Sequence, residues 1–202
     1  MGMPMTRWKK PKRASKRAAA RRAPKTWPRG TVFTIGHSTR SVDELIELLK
    51  RANVDLLVDV RSIPRSRTNP QFNTDALPAP LAAAGIGYQH AAALGGRRHR
   101  RKGDPPSPNG FWQNAAFRSY ADYAMGPEFR AGLDELEAGR MAHRCAIMCS
   151  EAVWWRCHRR IIADYLLAEH VPVAHIMSPT KIEPAQRTPG ARKRKGVLVY
   201  PA

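Results

Sequence analysis

The chain of 202 residues has little cysteine: Cys145, Cys149 and Cys157, all within one short stretch. An odd, clustered set excludes the disulfide framework of a small secreted domain. There is no apolar run of the roughly 18 residues that a membrane-spanning helix needs. The basic N-terminus is not followed by the apolar stretch of a secretory signal. These absences predict a cytoplasmic chain with no membrane partner. A glycine-rich fingerprint is missing too. Gly36 stands without a G-x-G-x-x-G around it, so nothing marks a dinucleotide site.

What the chain has in plenty is positive charge: 35 Lys+Arg against 16 Asp+Glu, a formal net charge of +19. Residues 1–30 hold eleven Lys/Arg, Lys9, Lys10, Lys12 and Arg13 among them, and no acid. Pro4, Pro11, Pro24 and Pro28 interrupt any long helix there. The segment reads as a disordered basic arm. Residues 181–202 read as a second basic tail, with the run Arg192 to Lys195 and an edge strand at Val197–Tyr200. The remaining body is only mildly basic, apart from Arg97, Arg98, Arg100, Arg101 and Lys102. Such clusters attract phosphate backbones without reading sequence. The other reading is a solvated surface, and the two stand side by side. No helix-turn-helix, zinc-finger or RNA-recognition signature suggests base readout.

Hydrophobic residues make up 43% of the chain, enough to build a core. Between residues 31 and 180, β-rich runs alternate with helical periodicity. Strands are expected at Thr31–Ile35, Asp55–Val60, Ile86–Gln89, His143–Met148 and Val171–Met177. Helices are expected after Ser41, over Thr74–Ala84, Phe111–Met125 and Pro127–Ala138, and, longest of all, over Glu151–Glu169. The alternation predicts an α/β domain: a three-layer, Rossmann-like, open and mostly parallel sheet with helices on both faces.

In such a sheet ligands bind beyond the carboxyl ends of the strands. There the sequence gathers Gly36-His37-Ser38, Asp59 with Arg61, Arg65 and Ser66, Gly95-Gly96, Cys149 with Glu151, and His158-Arg159. His37, Asp59, Cys149, Glu151 and His158 are the candidate catalytic groups. Gly36, Ser38, Arg61, Arg65, Ser66, Gly95, Gly96 and Arg159 are the candidate substrate- and anion-binding groups.

These residues carry a family resemblance. The pieces are Thr34-Ile35-Gly36-His37-Ser38, Val58-Asp59-Val60-Arg61 with Pro64-Arg65-Ser66, Phe72-Asn73, Tyr88, Leu94-Gly95-Gly96, Phe117, Tyr120, and Met148-Cys149-Ser150-Glu151 followed by Cys157-His158-Arg159. In this order, over roughly residues 31 to 177, the chain resembles the domain of unknown function 488 family. It departs from the family at Ser150, commonly Ala, and at Trp154-Trp155, where members often carry polar residues. The resemblance implies a small α/β fold and assigns no chemistry.

The residues themselves leave several chemistries open. A thiol at Cys149, where a strand is expected to turn into a helix, faces a helix N-terminus that would stabilise its thiolate. The alternative is a small buried hydrophobe. The Cys-to-Arg spacing of the phosphatase loop is not met, because six residues separate Cys149 from Arg156. No metal is assigned. Cys149 and Cys157 are not a C-x-x-C pair, and neighbours Cys157 and His158 would point about 100° apart on a helix. Asp59 and Glu151 can serve as general bases or as ion-pair partners of Arg61 and Arg159.

Two functions follow. One is an enzyme acting on a phosphate-bearing substrate, a nucleotide or nucleic acid. The other is a nucleic-acid-binding accessory protein using Lys9, Lys10, Lys12, Arg13, Arg97 and Arg98. The sequence specifies neither a cofactor nor an oligomeric state.

Overall fold

A computed structural model describes residues 26–202. The expected arm over residues 1–30, with Lys9, Lys10, Lys12 and Arg13, lies almost wholly outside the described residues. Five parallel strands and one antiparallel edge strand form the main sheet, in the order β3-β2-β4-β1-β5-β6. They are β1 (Val32–Gly36), β2 (Leu56–Asp59), β3 (Gly87–His90), β4 (Cys145–Cys149), β5 (Val173–Ser178) and β6 (Lys181–Pro184). The helices are α1 (Val42–Arg51), α2 (Pro78–Ala83), α3 (Ala115–Tyr123), α4 (Pro127–Ala142) and α5 (Arg159–Ala168). The three-layer α/β architecture expected from the sequence is the one observed.

The inner strands β1, β2, β4 and β5 are buried on both faces, and their side chains alternate between the two. Val32, Val58, Val60, Cys145, Ile147 and Cys149 point to one side, where Tyr120, Phe129, Leu133, Ile161 and Ile162 of α3 to α5 cover them. Phe33, Ile35, Leu57, Ala146 and Met148 point to the other, under Leu45 and Leu49 of α1 and Leu81 of α2. Each helix starts where its sequence permits. Ser41 closes a capping box with Glu44: its hydroxyl accepts from the Glu44 N–H at 3.1 Å, and the Glu44 carboxylate accepts from the Ser41 N–H at 2.7 Å. Ser41→Ala is expected to lower stability by about 1 kcal/mol, read from the urea midpoint. Asn114 caps α3 in the same way, accepting from the Ala116 and Phe117 N–H groups, so α3 begins four residues later than expected. Pro78 and Pro80 confine α2 to a short piece of the expected Thr74–Ala84 helix.

Two expectations change. The helix predicted over Glu151–Glu169 is broken. A single 3₁₀ turn spans Trp154–Arg156, Cys157 is extended (φ −132°, ψ 147°), and α5 begins only at Arg159. Trp154 is drawn away from a helical path: its ring stacks on His175, centroids 4.3 Å apart, and its Nε1–H donates to Glu183 at 3.1 Å. Among the described residues the longest helix is therefore α4, of 16 residues. Residues 181–202, expected as a tail, supply the edge strand β6 and a hairpin of β7 (Arg192–Arg194) and β8 (Val197–Val199). The expected strand at Val197–Tyr200 pairs with β7, outside the main sheet. Tyr200 is buried behind it, its hydroxyl donating to Asp164 at 3.0 Å. Among the described residues no helix is long and apolar enough to cross a membrane.

Candidate functional site

Strand order sets where a ligand can enter. The connection leaving β2 runs outward to β3, and the one leaving β4 runs the opposite way, past β1, to β5. A crevice opens where neighbouring strands diverge like this. A cleft of about 360 Å³ lies there, with His37, Arg61, Ser62, Arg65, Ser66, Asn69, Gly96 and Arg97 on its walls. Phe117, Tyr120, Cys149, Ser150, Glu151, Arg156, Cys157 and His158 also line it.

Of the candidates drawn from the sequence, the cleft thus brings together His37, Arg61, Arg65, Ser66, Gly96, Cys149, Glu151 and His158. Arg97, expected as a nucleic-acid contact, joins them. Gly36 and Ser38 shape the wall. A Cβ on Gly36 would stand 1.9 Å from the Glu151 carbonyl oxygen, so only glycine lets the β4 loop cross β1. The Ser38 N–H donates to the Ser150 carbonyl at 3.0 Å and ties the same two loops together. Gly95 packs against Ser62, and a Cβ on Gly96 would strike the His158 ring at 2.3 Å. Arg98 faces elsewhere. Its guanidinium lies 3.9 Å over the Tyr123 ring and donates to the Ala92 carbonyl.

Asp59 lies behind the cleft and does not line it. It is fully buried, and its carboxylate accepts from Arg61 Nε at 2.9 Å and from the Tyr88 hydroxyl at 2.8 Å. Burial would lower the Arg61 pKa, but the bonds and charge of Asp59 outweigh it and raise it. Burial, and then the Asp59 charge, raises the Tyr88 pKa. Arg61 in turn reaches the Phe72 carbonyl and, at 3.3 Å, His37 Nε2. His37 Nδ1 donates to the Ser38 carbonyl at 2.9 Å, which leaves Nε2 as the acceptor. Its ring stacks on Phe72, and burial holds its pKa down to about 4. His37 is therefore a neutral, oriented imidazole at neutral pH.

The floor of the cleft holds the thiols. Cys149 ends β4 and Cys157 precedes α5; they are 7% and 3% exposed. His158 Nε2–H donates to the Val60 carbonyl at 2.9 Å. In the neutral ring this leaves the Nδ1 lone pair facing Cys157 Sγ at 3.6 Å and Cys149 Sγ at 3.9 Å. Arg159 lies beneath, 1% exposed, with Nε donating to Cys157 Sγ at 3.3 Å and Nη2 to the Glu151 carbonyl. The expected pairing of Arg159 with the Glu151 carboxylate is replaced by this bond to the backbone. Among the described residues no carboxylate forms an ion pair with Arg159.

The thiol expected to be activated changes identity. Cys149 does not run directly into a helix, because nine residues separate it from Arg159, where α5 begins. Its hydrogen bond to Cys157, and then burial, push its pKa up to about 12. Burial would raise Cys157 as well, but the bond from Cys149 and the Arg159 charge bring it down to about 6. The two thiols are thus shifted in opposite directions, Cys149 up and Cys157 down.

This geometry also removes the objection to a shared ligand. Cys157 and His158 do not sit side by side on a helix. Cys157 is extended and His158 is the first residue to turn (φ −57°, ψ −20°), so their side chains converge. Cys149 Sγ, Cys157 Sγ and one His158 nitrogen lie within 4.8 Å of one another.

The family model described as domain of unknown function DUF488 matches residues 41–166. The chain belongs to this family. The DUF488 match takes in every residue that lines the cleft except His37. No curated protein and no solved structure matches the chain significantly. Ser150 lines the cleft, and Trp154 and Trp155 lie in the 3₁₀ turn that follows.

Ser62, Asn69 and Arg156 are not among the site candidates drawn from the sequence, and Cys157 enters there only as a metal ligand set aside on spacing. Ser62 had a local signal, since it follows Arg61 at the end of β2. Its hydroxyl accepts from the Arg97 N–H at 2.8 Å and anchors the start of the basic loop.

Proposed function

We propose that the protein is an enzyme whose cleft takes a phosphate-bearing substrate, a nucleotide or nucleic acid. One observation carries the reading. Arg61, Arg65, Arg97 and Arg156 surround a floor of thiol and imidazole, and Glu151 is the one carboxylate among the lining residues. Arg61 is taken up by Asp59 and Arg65 forms an exposed pair with Asp75 at 3.7 Å; among the described residues Arg97 and Arg156 form no ion pair and line the cleft. Guanidinium matches phosphate in two-pronged geometry. The floor groups are of the kinds that ligate or attack an electrophile, and Glu151 and the neutral His37 are placed to accept protons.

The test is a thermal-unfolding screen against nucleoside phosphates, sugar phosphates and short oligonucleotides. A concentration-dependent rise in Tm is expected for phosphate-bearing members only. Arg97→Glu and Arg156→Glu should each weaken that binding about 10- to 100-fold, the loss of one charge-assisted hydrogen bond. A screen with no phosphate-dependent shift would remove the reading.

A second reading, a nucleic-acid-binding accessory protein, draws on the exposed run Arg97 to Lys102 and on the charge of residues 1–30. Deleting residues 1–30 in the same assays separates the two. The accessory reading expects salt-sensitive, sequence-independent binding to vanish with the arm. The enzyme reading expects small phosphate ligands to bind unchanged.

A further inference from the structure

We propose that Cys149, Cys157 and His158 form a three-ligand site for a zinc-type divalent cation, with a fourth position that opens into the cleft and takes an anionic oxygen. The spacing is the first ground. Zn–S bonds of about 2.3 Å and Zn–N bonds of about 2.0–2.1 Å at tetrahedral angles put sulfur and nitrogen about 3.6 Å apart. His158 Nδ1 lies 3.6 Å from Cys157 Sγ and 3.9 Å from Cys149 Sγ, and the two sulfurs lie within 4.8 Å of each other. A cation drawing the three atoms together needs only small rotations of side chains already facing one point.

Support around the ligands is the second ground. A ligating imidazole is normally held by a hydrogen bond from its other nitrogen, which fixes the tautomer and the ring plane. The Val60 carbonyl does this for His158 at 2.9 Å. Metal-bound thiolates are steadied by donors, and Arg159 Nε supplies one to Cys157. Gly96 is the third element, since any Cβ there would press on the His158 ring.

Donor type selects the metal. Two thiolates and an imidazole suit zinc, whereas magnesium and calcium require oxygen. Three protein ligands with an open fourth side is the pattern of a catalytic zinc, in contrast to a closed structural one. On binding, each thiol still protonated releases its proton to solvent, and the sulfur lone pair forms the metal bond. Two thiolates then cancel the charge of the ion and leave the buried Arg159 guanidinium without a counter-charge. An anion in the fourth position, hydroxide or a phosphate oxygen, restores neutrality. The three-ligand site stands on these residues alone. Only the choice of a phosphate oxygen as fourth ligand rests on the function proposed above.

The experiment uses the full chain, purified under reductant, stripped with chelator and titrated with cobalt(II) alone. One equivalent should produce the intense visible bands of a tetrahedral ion and a near-ultraviolet thiolate-to-cobalt charge-transfer band, and zinc should bleach both. Cys149→Ser, Cys157→Ser and His158→Ala should each abolish the tetrahedral spectrum. Cys145→Ser, which alters a thiol four residues away on the same strand, should leave it intact. A wild-type protein showing only the pale spectrum of hydrated cobalt overturns the site, whatever the variants do. So does a spectrum indifferent to Cys157→Ser and His158→Ala. So does a quantitative Cys149–Cys157 disulfide that re-forms after reduction while no metal is held, since the pair is then a redox couple. Inorganic phosphate is then added to the cobalt form. A shift of the visible bands supports a phosphate oxygen as the fourth ligand, and unchanged bands overturn that choice while leaving the three-ligand site in place. If cobalt fails to bind but phosphate raises the Tm, the metal proposal falls and the phosphate reading survives.

Discussion

Replacing Asp59 by alanine is expected to cost about 3–5 kcal/mol of stability, because it strands a charged guanidinium inside the protein. Asp59 is fully buried and Arg61 is 7% exposed. The carboxylate accepts from Arg61 Nε and Nη2, from the Arg61 backbone N–H at 3.1 Å, and from the Tyr88 hydroxyl. Nothing else near Arg61 carries negative charge in the same contact: its remaining bonds go to the Phe72 carbonyl and His37 Nε2. Against a typical total of about 5–15 kcal/mol, such a variant is close to unfolding at room temperature. Urea denaturation at neutral pH measures it. The double variant Asp59→Leu with Arg61→Met should recover most of the loss, since two apolar groups of similar bulk leave no charge behind. A single-variant loss below about 1 kcal/mol, the level of an exposed pair, would mean that water reaches the guanidinium. The consequence for function is direct. Arg61 and Asp59 hold the β2 end and the His37 wall in place, so activity lost in Asp59 variants reports on scaffold before chemistry.

The strands were the most legible part of the chain. Leu56 to Asp59 and Cys145 to Cys149 are short apolar runs ending in reactive side chains, and parallel burial on both faces produces that pattern. Because a parallel sheet collects its strand ends on one edge, the sequence also placed most of the cleft. It fell short where charge hid backbone pairing. Arg192-Lys193-Arg194 reads as a solvated tail, but a strand's hydrogen bonds belong to its backbone. Lys195 and Gly196, both at positive φ, turn this one back on Val197–Val199. The Lys-Gly pair was the available signal, and Tyr200 was the anchor.

The same limit applies inside the site. Helical periodicity carries Glu151–Glu169 as one helix, with Cys157 on its core stripe. Tertiary contacts of Trp154 with His175 and Glu183 override it and leave Cys157 extended. From periodicity alone Cys157 and His158 diverge; in the fold they meet Cys149. Asp59 lies at the end of β2 and Arg159 at the start of α5, but one-dimensional order cannot tell a group lining a cleft from one buried just behind it. That distinction is set by depth along the side chain and by which neighbour takes up the charge.

Acidification should destabilise the protein well before its carboxylates protonate, through two histidines. His175 is buried with Nδ1 2.8 Å from Thr34 Oγ1 and its ring stacked on Trp154. Burial, reinforced by the Arg159 charge, lowers its pKa to about 3, with Glu183 opposing only in part. His37 is held down to about 4, chiefly by burial, despite the nearby Asp59. In the unfolded chain both rings titrate near about 6.5. Above that value neither state binds the proton, so these groups add no pH dependence. As pH falls below it, the unfolded chain takes up two protons that the native protein refuses. Stability then drops by about 1.4 kcal/mol per pH unit for each ring, or about 2.7 kcal/mol together. The slope from His37 flattens near its native value of about 4, and that from His175 near about 3. Unfolding midpoints measured in urea between about pH 7 and about pH 5 should follow this decline. His175→Gln, which can keep a hydrogen bond to Thr34 but cannot titrate, should halve the slope below about pH 6. A stability curve flat across that range, or a His175→Gln slope equal to wild type, would show that the rings are protonated in the native state. The two histidines would then have to be treated as cations facing Arg61 and Arg159.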